Sequence, residues 1–390
     1  MAHQALACRA GAGLSTAAET VEAAREAARS ASAAVAGAEV DLAFCFLSPA
    51  HLDEAEQASA AVREELEPRH LLGCVAEGVV AGRRELEAGP AIAVWAASLP
   101  DATIRVFHAN AVEAAGGMAI AGFPRPEVAD LVLLLADPFT FPVAPFLATL
   151  NETGAAAPVV GGLAVGRRQR GEQALLVDDE AHPEGAVGAV VSGVAVLPLV
   201  SQGCRPLGRE SVVTRCEGNV VHELAGRPAL ERLRAEIASL TAREQALAAQ
   251  GILAGIVVDE NRPEYDVGDY LMRGVLGADE RTGALVLGET VRVGQTVRFF
   301  ARDPASADAD LRRTLSGLPS GARPAGALLF TCNGRGTRMF PEPDHDARLA
   351  SELLGTEAVA GFFCGGEIGP VGGRAFLHGF TATLAVFLER

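Results

Sequence analysis

Asp41-Leu42-Ala43-Phe44-Cys45-Phe46-Leu47-Ser48-Pro49 is an unbroken apolar run that ends in a helix-start pair, and Asp130-Leu131-Val132-Leu133-Leu134-Leu135-Ala136-Asp137-Pro138 repeats it 89 residues further on. A short apolar run bounded by turn residues reads as a strand buried on both faces. Ser48 or Asp137 before proline is the favoured opening of a helix. A second match keeps nearly the same offset: Leu71-Leu72-Gly73-Cys74 returns 88 residues later as Val159-Val160-Gly161-Gly162. A third copy lies near the C-terminus, with Ala327-Leu328-Leu329-Phe330 as first strand and Val359-Ala360-Gly361-Phe362-Phe363 as second.

Each copy therefore reads as strand, helix, strand, turn, closing strand. The closing strands fall at about 91–98, 187–197 and 380–388. The strand–helix–strand steps require parallel neighbours, and the closing strand, reached by a short turn, should be antiparallel. The expected fold is α/β in the α+β sense: repeated β-α-β-β units forming mixed sheets covered by helices, in two domains. The expected division is a lead and helix over 1–37, an N-terminal domain over 38–206 and a C-terminal domain over 207–390. Residues 1–14 read as a disordered lead, and Thr16 to Glu19 as a capping box opening a helix to about residue 36. Between the second and third copies, helices over 228–247, with Thr241 and Glu244 as another capping box, precede four strands.

Composition narrows the function. The chain has 390 residues and a formal net charge of −16, which repels phosphate backbones and anionic membranes. Nucleic acid and membrane are not expected partners. All 33 basic residues in the Lys+Arg count are arginine. Without lysine there is no Schiff-base catalysis, no Walker A loop and no kinase β3 lysine. Seven scattered cysteines without a Cys-x-x-Cys pair argue against a disulfide framework or zinc ribbon and suit a reducing cytoplasm. No cofactor or metal is expected.

The densest polar constellation is in the third copy. Cys332-Asn333-Gly334-Arg335-Gly336 leaves one strand, and Cys364-Gly365-Gly366-Glu367-Ile368-Gly369 leaves the next. Neighbouring strands bring both loops to one sheet edge, the usual ligand position in open α/β sheets. Asn333 offers donors and an acceptor, Arg335 and Arg374 can fork onto a carboxylate, and Glu367 can neutralise an amine. Gly334, Gly336, Gly366 and Gly369 let backbone approach a ligand. Cys74, Glu77 and Gly78 of the first copy are expected on the opposite wall, and His378 either lines the pocket or fills the core. A thiolate pairing of Cys332 or Cys364 with His345 or His378 is the catalytic alternative. Asp344-His345-Asp346 is read as an acidic helix start.

At these residues the chain resembles the FIST family. The motifs are Cys-Asn-Gly-Arg-Gly at 332–336, Gly-Phe-Phe-Cys-x-Gly-Glu-Ile-Gly-Pro at 361–370 and Leu-His-Gly-Phe-Thr-Ala at 377–382. The N-terminal counterpart departs from the family's pattern: Glu77 and Gly78 are followed by Val79. The resemblance implies a stand-alone intracellular sensory module that binds a small ligand, such as an amino acid, and works with a signalling protein. A cysteine-nucleophile enzyme and an interaction scaffold with a vestigial pocket are the alternatives.

Overall fold

The computed structural model describes residues 7–114, 117–124, 129–153, 157–166 and 171–389. The three copies build three mixed sheets. In each, the two leading strands are parallel: Leu42–Leu47 with His70–Val75, Leu131–Ala136 with Val159–Leu163, and Pro324–Cys332 with Val359–Cys364. The closing strands Ile92–Ser98, Ala186–Ser192 and Thr381–Leu388 run antiparallel to the leading ones, as expected. The second ends at Ser192, short of the expected 197, and Val196–Gln202 crosses to the edge of the third sheet.

The units also exchange hairpins, which the repeat alone does not predict. The first unit's hairpin, Val79–Ala81 with Arg84–Leu86, pairs with Val359–Cys364 in the third sheet. The second unit's hairpin, Leu175–Val177 with Glu180–His182, pairs with His70–Val75 in the first. The third unit's hairpin, Glu367–Val371 with Arg374–His378, pairs with Val159–Leu163 in the second. Three sheets are thus locked in a cycle.

Burial on both faces explains why the strands read as continuous apolar runs. Leu42, Phe44 and Phe46 point into a core shared by all three sheets with Leu133, Trp95, Phe330 and Phe387. The alternate residues Ala43, Cys45 and Leu47 face helices Thr20–Ser32 and Ala55–Leu66. Helix Val143–Glu152 covers the second sheet's outer face, and helices Pro304–Ser316 and His345–Leu354 cover the third.

The N-terminus corrects one expectation. Arg9–Ser15 is a strand along Ile92–Ser98 and not part of a disordered lead; the first six positions of the expected lead lie outside the described residues. Its glycines hid it: Gly11 and Gly13 lie so close to the carbonyls of Ala31 and Ala27 that no Cβ fits. The helix above starts at Thr20, with Glu19 as N-cap and no capping hydrogen bond, so the expected box at Thr16 does not form. The box at Thr241 and Glu244 does form, opening Ala242–Ala249. It is separated from helix Ala229–Ser239 by a break at Leu240.

The material between the second and third units is a barrel. Cys204–Glu217, Thr296–Arg302, Ile252–Val257, Tyr270–Asp279, Ala284–Leu287 and Val220–Leu224 pair in that order, and the last returns to the first. The barrel is an insertion in the third unit, between its edge strand Val196–Gln202 and helix Pro304–Ser316.

Candidate functional site

The parallel register of the third unit places Cys332 opposite Cys364, so the two motif loops leave the sheet side by side. The Asn333 N–H donates to the Cys364 carbonyl at 2.8 Å and ties them together. Gly336 takes a left-handed φ of 55° in the tight turn that follows.

Arg335 is the centre of this region. It is wholly buried and donates Nε to Asp346 Oδ2 at 2.6 Å and Nη2 to Asp346 Oδ1 at 2.8 Å. The fork is therefore taken by the protein's own carboxylate, leaving Nη1 without a partner among the described residues. Thr331 Oγ1 also donates to Asp346 at 2.7 Å, and a His345 ring nitrogen lies 2.9 Å from it. Burial alone would raise the Asp346 carboxyl; the Arg335 charge and these hydrogen bonds outweigh it and hold the group well below the usual carboxylate range. His345 stacks on Phe340 and reaches Asp308.

Glu367 is equally buried. Its Oε2 accepts from Thr381 N at 3.1 Å and Thr381 Oγ1 at 2.7 Å, the Cys332 thiol also lies within reach of the carboxyl, and Oε1 meets no nitrogen or oxygen partner among the described residues. Burial pushes its acid up to about 8 against these hydrogen bonds. Glu85, carried in on the first unit's hairpin, accepts from Ala347 N at 2.9 Å; burial and the Asp346 charge push it up to about 8. Cys332 lies beside Glu367, and burial with that charge pushes its thiol up to about 12. Cys364 is raised well above the ordinary thiol value for the same two reasons.

The structure gathers Cys332, Asn333, Gly334, Arg335, Gly336, Cys364, Gly366 and Glu367 at this edge. The first unit does face them: Arg338 pairs with Glu77 at 2.6 Å, Thr337 N donates to Glu87 at 2.7 Å, and Phe363 N donates to the Gly78 carbonyl at 2.9 Å. Cys74 is wholly buried in the core shared by the three sheets, as is Cys364, and presents no surface to the motif loops. Gly369 packs on Thr383 and Val200. His378 is buried across its hairpin, with Nε2 3.0 Å from the Gly369 carbonyl, and burial lowers it to about 4. Arg374 is exposed at the tip of that hairpin, away from Arg335, with its guanidinium over Phe376.

Sequence reasoning missed the partners. Asp346 was one of three polar residues at a helix start, with nothing to separate a capping charge from a buried counter-ion. Thr381 lay inside the 377–382 motif and carried a signal. Glu85 carried none, because its hairpin reaches this sheet only through the exchange.

This architecture belongs to a two-part α+β class. The FIST N domain model matches residues 41–227 and the FIST C domain model residues 229–370, and the chain belongs to the FIST family. FIST domains are sensory domains of signal transduction. An uncharacterized protein of Mycobacterium tuberculosis is 47% identical over 386 residues, 98% of this chain and 100% of its own length. An uncharacterized protein of Mycobacterium bovis is 44% identical over 98% of this chain and 99% of its own length. Among the described residues no helix is long and apolar enough to cross a membrane.

Proposed function

We propose that this chain is a sensory module that binds a small carboxylate-bearing metabolite, such as an amino acid, and performs no chemistry on it. The observation that supports this reading is a set of buried polar atoms without hydrogen-bond partners among the described residues: Arg335 Nη1, Glu367 Oε1, Asn333 Oδ1 and Gln202 Oε1. They belong to one neighbourhood. Gln202 lies opposite Thr381, which holds Glu367, and a Cβ on the next residue, Gly203, would fall 2.9 Å from Arg335 Nη1. Buried donors and acceptors are normally paired, because an unmet one costs about 1–3 kcal/mol. A ligand that offers both a carboxylate and a donor meets that need.

The thiols weigh against the catalytic alternative. A nucleophilic cysteine needs a depressed pKa, and both Cys332 and Cys364 are displaced upward. A signalling protein that reads the bound state, in the reducing interior of the cell, completes the reading.

The test is thermal shift of the whole chain against a panel of amino acids and short carboxylates. A ligand should raise the melting temperature, and Asn333→Ala and Glu367→Gln should abolish the rise. No shift with any member of the panel, together with no small molecule released on denaturing freshly purified protein, rejects ligand binding here and leaves a scaffold with a vestigial pocket.

A further inference from the structure

A cleft of about 430 Å³ opens between the inserted barrel and the second sheet, and none of its lining residues belongs to the Arg335 cluster. One wall is helix Val143–Glu152 with strand Arg374–His378; the other is barrel strands Ile252–Val257 and Tyr270–Asp279 with the loop 288–295. Three arginines, Arg273, Arg292 and Arg374, line it with a single carboxylate, Glu289. The local balance is positive in a chain whose net charge is −16.

The three arginines differ in how they are held. Arg273 is mostly buried: Nε donates to Glu289 at 3.0 Å, and Nη1 to the carbonyls of Met272 at 3.0 Å and Leu377 at 2.9 Å. It is fixed, and its bond to Leu377 joins barrel to sheet. Arg292 and Arg374 are exposed, stand on opposite walls and have no ion pair among the described residues. Scattered surface arginines need no explanation. Three from separate elements in one concavity, with Pro145, Leu147, Leu271 and Leu377 as its apolar lining, are a different case. The volume lies in the range of small-molecule clefts, which combine apolar lining with a few placed polar groups.

The geometry points to a binding site for a small organic dianion with an apolar body, a phosphomonoester or a dicarboxylate, held between Arg292 and Arg374 above the fixed Arg273. Such a ligand ties the barrel to the three-sheet body. The site is independent of the ligand reading for the Arg335 cluster and stands or falls without it.

The experiment is calorimetric titration of the full chain at low ionic strength with phenyl phosphate and with glutarate. Phenol and inorganic phosphate serve as probes of the body and the charge alone. At least one of the two organic dianions should bind more tightly than either fragment, and whichever binds identifies the anionic group. Arg292→Ala and Arg374→Ala should each weaken that binding roughly tenfold or more, since each removes a charge-assisted contact. Both residues are exposed, so the unliganded melting temperature should stay unchanged. Glu367→Gln should leave this binding intact. Failure of both dianions to bind wild type overturns the site. So does binding that survives both arginine substitutions, or binding that Glu367→Gln removes.

Discussion

Asp346 accepts both arms of the Arg335 fork, at 2.6 and 2.8 Å, and the two side chains are 1% and 0% exposed. Removing one member of a fully buried pair leaves the other charge stranded. Asp346→Asn should therefore destabilise the chain by about 3–5 kcal/mol, read from the urea midpoint. Replacing both, as Arg335→Met with Asp346→Leu, should recover much of that loss, because no charge then remains to be solvated. A single substitution no more costly than the double one would show that the fork is not what holds the loop.

The buried acids give the stability a pH dependence with a definite sign. Glu367 and Glu85 each stand near 8 in the folded chain, against an ordinary value of 4.5. An acid raised on folding binds more protons folded than unfolded. Its contribution is complete below its ordinary pKa and is lost as the pH rises through about 8. His378, lowered to about 4, acts in the opposite sense, but only below its ordinary 6.5. Between pH 6.5 and 8 the carboxyls stand alone against it, and the melting temperature should fall as the pH rises. Glu367→Gln should flatten the slope. A melting temperature that climbs across this window would contradict the raised acids.

Each unit uses one glycine to bring its two parallel strands together. Gly73 faces the Cys45 carbonyl, Gly161 that of Leu134 and Gly361 that of Leu329, and in each case an added Cβ would collide with the carbonyl oxygen. The obstacle is backbone in the middle of a buried sheet and cannot swing aside. Alanine at any of the three should cost about 3 kcal/mol or more. Gly277→Ala, where nothing lies within 4 Å, should change stability by less than about 1 kcal/mol. Equal losses at all four positions in chemical denaturation would show that the effect is generic to glycine.

These glycines explain how much of the fold was legible. Gly73 and Gly161 belong to the stretches whose 88-residue offset betrayed the repeat, because sheet geometry forced the same residue at the same place. The units, the parallel steps and the antiparallel closing strands followed from that repeat. The hairpin exchange did not, since pairing across units leaves no local periodicity: Val79 reads the same whether its neighbour is Val75 or Phe362. The barrel's closure was hidden likewise, its strands visible but not the return of Val220–Leu224 to Cys204–Glu217. At the site, the motif loops were legible and their meeting followed from strand order. What a residue type cannot say is whether its partner is a ligand or another side chain, and Arg335 was read toward a ligand when its fork belonged to Asp346.

The seven thiols should separate into two groups under mild alkylation, and the separation bears on whether Cys332 does chemistry. Cys8 and Cys216 are partly exposed, and the other five are buried. Reaction requires thiolate. For Cys332, burial and Glu367 push the pKa to about 12, so at neutral pH its thiolate fraction is roughly a thousandfold below that of an ordinary cysteine. Its Sγ already accepts the Gly334 N–H at 3.4 Å, and that contact is too weak to reverse the shift. Cys364 has no exposed surface and touches Gly162 across the sheet edge. With iodoacetamide at pH 7.5, mass spectrometry should find label first on Cys216, then more slowly on Cys8, whose thiol is pushed up to about 11 by burial and the Glu389 charge. Cys332 and Cys364 should stay unmodified until denaturant is added. Glu367→Gln removes the neighbouring acid, and Cys332 should still label slowly, because burial is the larger cause. Fast, selective labelling of Cys332 in the folded chain would mean that its environment stabilises a thiolate, and the catalytic reading would then displace the sensory one.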